Sequence, residues 1–254
     1  MNLDESEFNL KGKSQLSVFT LSDLHIGAKN HNFELLEYWG RIFKRTSGQK
    51  IIYGLGDYID YASKDVGAFD NVLSADEQIN YLIKFLKPLK NSIRVLCSGN
   101  HEARAKKFFN LSILKVIGEE LDIPITDNHY FDKLIINDEP FIVYGRHGNK
   151  TSNKLHLAMG GWERSTEHIT ADLLLMGHNH YCTSWNKTIM NQDQLKQRHY
   201  CFCGHMLNYN NSYADDMGLN VSPPSFMKLN ISRKHRVTGE EYTDLGQCNG
   251  EELL

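Results

Sequence analysis

Five short polar clusters hold the residues of this sequence best suited to chemistry. They are Asp23-Leu24-His25, Gly56-Asp57, Gly99-Asn100-His101-Glu102, His147-Gly148 and Gly177-His178-Asn179-His180. Each follows a strand-like apolar run, and in open α/β sheets chemistry collects where strands open into loops. Side chains at i and i+2 of an extended segment point the same way. Asp23 with His25, and His178 with His180, can therefore each present two groups to one site. Carboxylate, imidazole and amide oxygen make a mixed N/O set that suits Mn²⁺, Fe²⁺, Zn²⁺ or Ni²⁺. Asp23, His25, Asp57, Asn100, His147, His178 and His180 are seven potential ligands, more than one tetrahedral zinc accepts. They suit two ions about 3.5–4 Å apart that share a bridging carboxylate. A metal pair of this kind can hold a hydroxide between its ions and clamp a phosphoryl group undergoing in-line attack.

Taken singly, each cluster has a plainer meaning. Asp23-x-His25 alone reads as a helix cap beside a surface histidine, Gly56-Asp57 as a turn, and His147 as a partly buried histidine with its bonds satisfied. Gly99-Asn100 is also an ordinary turn signal. Two histidines within Gly-His-Asn-His are the strongest single feature. Five such clusters in order point to a site.

The elements that must position them follow from hydrophobic periodicity. Gln15 to Leu21, Ile51 to Leu55 and Ile93 to Cys97 read as strands. Between them, Phe33, Leu36, Gly40 and Phe43 mark a helix capped by Asn32. Ser74-Ala75-Asp76-Glu77 is a capping box that launches a second helix, stopped by Pro88. A third helix pattern runs from Ala103 to Leu121. This strand–helix alternation points to a mostly parallel sheet covered by helices. Tyr130 to Ile136 and Phe141 to Tyr144 then form a strand pair joined through Asn137-Asp138-Glu139-Pro140. A helix over Asn153 to Ile169, with Gly160-Gly161 as a possible interruption, precedes a strand from Asp172 to Met176. Strand-like pieces with Asn-, Gly- and Pro-rich turns complete the chain. No repeat or linker divides residues 1–254, so one domain is expected, with the motifs inside 23–180 and residues 181–254 completing the second sheet and the substrate-side loops.

Composition narrows the setting. Hydrophobic residues are 41% and charged residues 23% of 254 residues, as in an ordinary globular protein. The apolar runs are too short to span a bilayer, and the acidic N-terminus has no signal-peptide pattern, so a cytoplasmic protein without a membrane partner is expected. Five scattered cysteines suit reduced thiols, and Cys201-Phe202-Cys203 fits a buried strand better than a zinc knuckle. A net charge of −3 gives no global attraction to nucleic acid, although Arg104, Lys106 and Lys107 form a local basic cluster. The twelve histidines are an excess that hints at metal.

The ordered set D-x-H, G-D, G-N-H-[E/D], H and G-H-x-H resembles the calcineurin-like metallophosphoesterase family. The match runs from Asp23 to His180. The resemblance implies an α/β fold of four layers, two mixed β-sheets packed as a sandwich and flanked by α-helices, with a dimetal site at the strand ends. It implies one divalent ion on Asp23, His25, Asp57 and His180 and another on Asp57, Asn100, His147 and His178, with Asp57 bridging. Mn²⁺ heads the choice of metal, with Fe, Zn or Ni compatible. His101 would meet the phosphate and the leaving oxygen rather than a metal. Glu102 would orient His101, and Arg104 and Arg146 are candidates for phosphate oxygens. The implied activity is phosphoester hydrolysis, with a lean to phosphodiesters of nucleotides or nucleic acid, including a nuclease. A weak likeness to Mre11/SbcD-like and phage-type members lies in Tyr200 to Leu229, where Tyr209 and Tyr213 could stack on bases and His205 stays outside the ligand set. Phosphomonoesterase or phosphoprotein phosphatase action is the alternative. A metal-fold interaction scaffold without turnover is the non-enzymatic one.

Overall fold

The computed structural model describes residues 1–12, 14–61, 71–148, 152–191, 194–208 and 222–243. Strand β1 (Ser6–Phe8) precedes β2 (Gln15–Leu21), helix α1 (Phe33–Arg45) and β3 (Lys50–Gly54). Helix α2 (Ala75–Leu86) continues as a 3₁₀ turn over Lys87–Ser92 into β4 (Ile93–Cys97). Helices α3 (Asn100–Phe109) and α4 (Ile113–Leu121) lead to β5 (Ile125–Thr126), β6 (His129–Ile136) and β7 (Glu139–Arg146). Helix α5 (Leu155–Ser165) and β8 (Leu173–Met176) follow. The long hairpin β9 (Cys182–Asn191) and β10 (Gln194–His205) and the pair β11 (Ser225–Ser232) and β12 (Val237–Thr243) close the order.

The strands form two mixed sheets. One runs β1-β6-β7-β8-β10, with β9 on β10, and the other runs β12-β11-β2-β3-β4-β5. They join where Gly204 and His205 pair with Phe226 and Ser225. Between the sheets, Leu16, Val18, Ile51, Tyr53, Val95 and Cys97 meet Tyr130, Leu134, Phe141, Val143, Leu173, Leu175, Cys201 and Cys203. The alternate residues Phe19, Leu21, Ile52 and Leu96 pack outward on Leu36, Trp39, Phe43, Leu82, Leu86 and Ile117. On the far side Tyr144, Leu174, Met176, Tyr200 and Phe202 pack on Ala158 and Trp162 of α5. The order is helices, sheet, sheet, helix. Strands buried on both faces explain why β2, β3, β4 and β8 read as nearly continuous apolar runs. Among the described residues, no helix is long and apolar enough to cross a membrane.

Local signals account for most element ends. The Asn32 side chain accepts from the Leu35 N–H at the start of α1, and Ser74 and Glu77 form the reciprocal capping box of α2. Cys201 and Cys203 are buried thiols on β10. Pro88 stops α2 as expected, since the helix ends at Leu86 and Pro88 sits in the first turn of the 3₁₀ segment that follows, where its missing N–H costs nothing. Three expectations change. The helix expected over Ala103 to Leu121 is two helices, because Asn110 takes the left-handed conformation at φ 53° and caps α3. Helix α5 is shorter than expected, and Gly160-Gly161 lies inside it unbroken. Residues after 181 add strands to both sheets rather than to one.

Candidate metal centre

All five polar clusters lie at the C-terminal ends of strands in the two stacked sheets. The ends of β2, β3 and β4 supply Asp23 and His25, Asp57, and Asn100, and those of β7 and β8 supply His147, His178 and His180. The turns that aim them are strained. Asp23, His25, Asp57, His178 and His180 all have positive φ, between 49° and 65°, a conformation that L-residues avoid and that clusters at functional sites. Two loops cross closely enough to need glycine: a Cβ on Gly56 would lie 2.5 Å from the Gly99 nitrogen, and one on Gly99 would collide with Asp57.

At the centre, His147 Nε2 lies 3.0 Å from Asn100 Oδ1, 3.1 Å from His178 Nδ1 and 3.2 Å from Asp57 Oδ2. The other ring nitrogen, Nδ1, is 2.7 Å from the Leu55 carbonyl. A carbonyl only accepts, so Nδ1 carries the proton and Nε2 turns its lone pair inward, the arrangement of a metal-ligating imidazole. Two oxygens and a second ring nitrogen around that lone pair suit a cation. Alongside, Asp23 Oδ1 lies 3.4 Å from His180 Nε2, and Asp23, His25 and His180 bring one donor atom each within 4.8 Å of one another. Asp57, His147 and His178 form a second group of this kind. Asp57 links the two, its Oδ2 lying 3.9 Å from His25 Nε2.

The fit to divalent ions rests on an orphan. His25 Nδ1 is held by Asp60 Oδ1 at 3.2 Å, while its Nε2 is buried without a hydrogen-bond partner. Burying such an atom unpaired is costly, and it points at the carboxylates. Electrostatics agree. Burial alone would raise Asp57, but hydrogen bonding and charge from His147, with His25 and His101, hold it well below the usual carboxylate range. Burial lowers His147, yet Asp57 outweighs it and pushes the imidazole up to about 9. Without a metal the pair is therefore an ion pair, and a cation would take the place of its proton.

The Calcineurin-like phosphoesterase family matches residues 16–209 of the sequence. The chain belongs to this family. Among curated proteins, none matches it significantly. Solved structures share the calcineurin-like phosphoesterase fold at low identity. A putative 5'-nucleotidase from Staphylococcus aureus, in complex with alpha-ketoglutarate, is 13% identical with a TM-score of 0.53, over 91% of this chain and 54% of that one. A metallophosphoesterase from Sphaerobacter thermophilus is 11% identical, covering 90% and 88% of the two chains with a TM-score of 0.45. Vacuolar Protein Sorting 29 from Cryptosporidium parvum is 16% identical, covering 91% and 99% with a TM-score of 0.45.

Around this Asp–His cluster, the remaining expected residues fall differently. His101 lies beside it, Nε2 3.9 Å from Asp57 Oδ2 and Nδ1 in short contact with the Asp60 carbonyl oxygen, which fixes the proton on Nδ1. Burial and the charge of His25 push His101 down to about 4. Arg104 Nη1 lies 3.2 Å from His101 Nδ1, at the rim. Glu102 does not orient His101. Its carboxylate turns inward and accepts from the backbone N–H of Asp57, Tyr58, Ile59 and Gly99 at 2.8–3.2 Å. Arg146 shares the face of β7 that carries Tyr144 toward α5, where burial raises the Tyr144 phenol and the Arg146 charge lowers it. His205 stacks on His180 at 4.8 Å, but Ser222 O and the Leu207 N–H occupy its two ring nitrogens. Tyr209 and Tyr213 lie outside the described residues.

Two residues had not been singled out. Asp60 faces both His25 and His101, and its signal was a second acid three residues after Asp57. Ser22 donates its hydroxyl to Asp23 Oδ2 in a short contact.

Proposed function

We propose that this chain hydrolyses phosphoesters at two divalent cations, with a lean to phosphodiesters of nucleotides or nucleic acid. Asp23, His25, Asp57 and His180 would hold one ion and Asp57, Asn100, His147 and His178 the other, with Asp57 between them. The buried, partnerless His25 Nε2 facing Asp57 carries this reading. When bound, two such ions supply Lewis acidity to the phosphoryl oxygens and acidify the attacking water.

The protein's own groups do the rest. Asp57 Oδ1 accepts the His101 N–H at 2.8 Å, which ties the bridging carboxylate to the loop that carries His101. His101, as the imidazolium with Nδ1–H on the Asp60 carbonyl, gives its Nε2 proton to the leaving oxygen as the ester bond breaks and is left neutral, and Arg104 meets a non-bridging phosphate oxygen. The lean to diesters is supported by the place of Arg146 on the face of β7 that carries Tyr144 toward α5. One guanidinium at the rim suits a diester's single negative charge better than a monoester's two.

The test compares bis-p-nitrophenyl phosphate with p-nitrophenyl phosphate in Mn²⁺, Zn²⁺, Fe²⁺ and Ni²⁺. EDTA is expected to abolish turnover and the metal to restore it, with the diester preferred. A rate untouched by EDTA overturns the metal reading, and preference for the monoester overturns the lean. His101→Ala is expected to keep both ions bound and lose about 10²–10⁴-fold in kcat. The loss should deepen for esters whose leaving groups are poorer than p-nitrophenolate. Loss of the metals in His101→Ala, measured by elemental analysis, would refute its assignment outside the ligand set.

A further inference from the structure

Phe108 stands 55% exposed on α3, the helix whose first residues are Asn100 and His101. Seven positions separate Phe108 from His101. At 3.6 residues per turn this is about two turns, which places both on one flank about 10 Å apart along the axis. Helical side chains lean toward the N-terminus, so the Phe108 ring leans back toward His101. Arg104 occupies the same flank between them, beside the His101 ring. Lys107 Nζ lies 5.6 Å from the centre of the Phe108 ring. The buried side of the helix, with Glu102 and Ala105, is adjacent, and along this flank exposure rises from the part-buried His101 and Arg104 to Phe108.

An exposed aromatic by itself means little. One beside Lys107 and one helical turn from Arg104, in line with the histidine assigned above to the leaving oxygen, has the elements that hold a flat ring attached to an anion. Aromatic side chains stack on any nucleobase, and basic neighbours track the phosphate. We propose that Phe108 is a specificity-determining residue that stacks on the base of a nucleoside phosphodiester whose phosphate lies at His101 and Arg104. This rests on the phosphoester-hydrolase reading above. Lys107 adds positive charge where the next phosphate or the sugar edge would pass.

Thymidine 5′-(p-nitrophenyl) phosphate and methyl p-nitrophenyl phosphate release the same p-nitrophenolate and differ in the group retained. The metal-loaded protein is expected to favour the thymidine ester in kcat/KM by about tenfold or more. In Phe108→Ala this ratio should collapse toward one, and in Phe108→Trp it should persist. Leu195→Ala, which alters a side chain 74% exposed on β10, should keep the wild-type ratio. Calorimetry gives an arm without turnover: the Mn²⁺-loaded protein should bind thymidine 5′-monophosphate more tightly than inorganic phosphate, and Phe108→Ala should lose the difference. Equal kcat/KM for the two esters, or a ratio that survives Phe108→Ala, overturns the base platform and leaves the hydrolase reading standing. If neither ester turns over with any of the metals, the hydrolase reading fails. The calorimetric arm then decides the platform alone, and equal binding of the two phosphates overturns it.

Discussion

Asp57→Asn is expected to abolish phosphoester hydrolysis, by about 10³-fold or more, and to lower the bound metal from two ions per chain to one or none. The Lewis acidity of a bound ion supplies several kcal/mol of transition-state stabilisation, which is about three decades of rate. Asp57 is the carboxylate within reach of both donor groups, with Oδ2 3.2 Å from His147 Nε2 and 3.9 Å from His25 Nε2. The amide keeps an oxygen for the His101 N–H but has lost the charge that draws the cations together. Metal-free, the variant should also release His147 from the pairing that pushes it up to about 9, and its imidazole should titrate nearer the ordinary histidine value. Elemental analysis, NMR titration of His147 and the diester assay give three separate readouts. Two tightly bound ions in Asp57→Asn, with activity retained, would refute the bridging assignment.

The seven expected ligands converge because their signals are local: an apolar run, then a polar residue at the strand end. Asp23, Asp57, Asn100 and His178 could be placed from that pattern alone, since the direction of a strand decides where its last residue points. Glu102 could not. Its partners Asp57, Tyr58 and Ile59 are 43–45 residues away in the chain, and only the crossing of two loops brings them together. Arg146 shows the reverse. It shares a strand face with Tyr144 at i and i+2, and Tyr144 packs toward α5, so the alternation of β7 already pointed its side chain away from the cluster. In the fold, the strand–helix alternation predicted β2 through β4 well. It missed β1 and β5, which span 3 and 2 residues, too short for a period to register. The sequence also held Asn110, the residue that breaks the long helix in two. Within an apolar helical pattern, asparagine declares a left-handed cap only once the packing of α4 makes the chain turn there.

Glu102→Ala is expected to be the most destabilising single change near the site. The side chain is 3% exposed and satisfies four backbone donors. Oε1 takes the N–H of Tyr58 at 2.8 Å and Ile59 at 3.2 Å, and Oε2 those of Gly99 at 2.8 Å and Asp57 at 3.0 Å. Burial and the Asp57 charge raise its pKa, against the pull of these N–H groups. Each buried donor left without an acceptor costs about 1–3 kcal/mol. Partial relaxation brings the sum to about 3–5 kcal/mol, the range for removing one partner of a buried charged set. For a domain of this size that lowers Tm by about 6–20 °C. Glutamine is no remedy. Its amide nitrogen would face two N–H donors where a carboxylate oxygen now accepts from both, so Glu102→Gln should fall nearer to alanine than to wild type. Because Glu102 ties down the backbone that bears Asp57 at φ 53°, both variants should also bind metal more weakly, by about 10–100-fold. A reading in which Glu102 instead orients His101 expects a different pattern: normal Tm and metal content with reduced kcat. Thermal unfolding and metal titration on the same two variants separate the two roles.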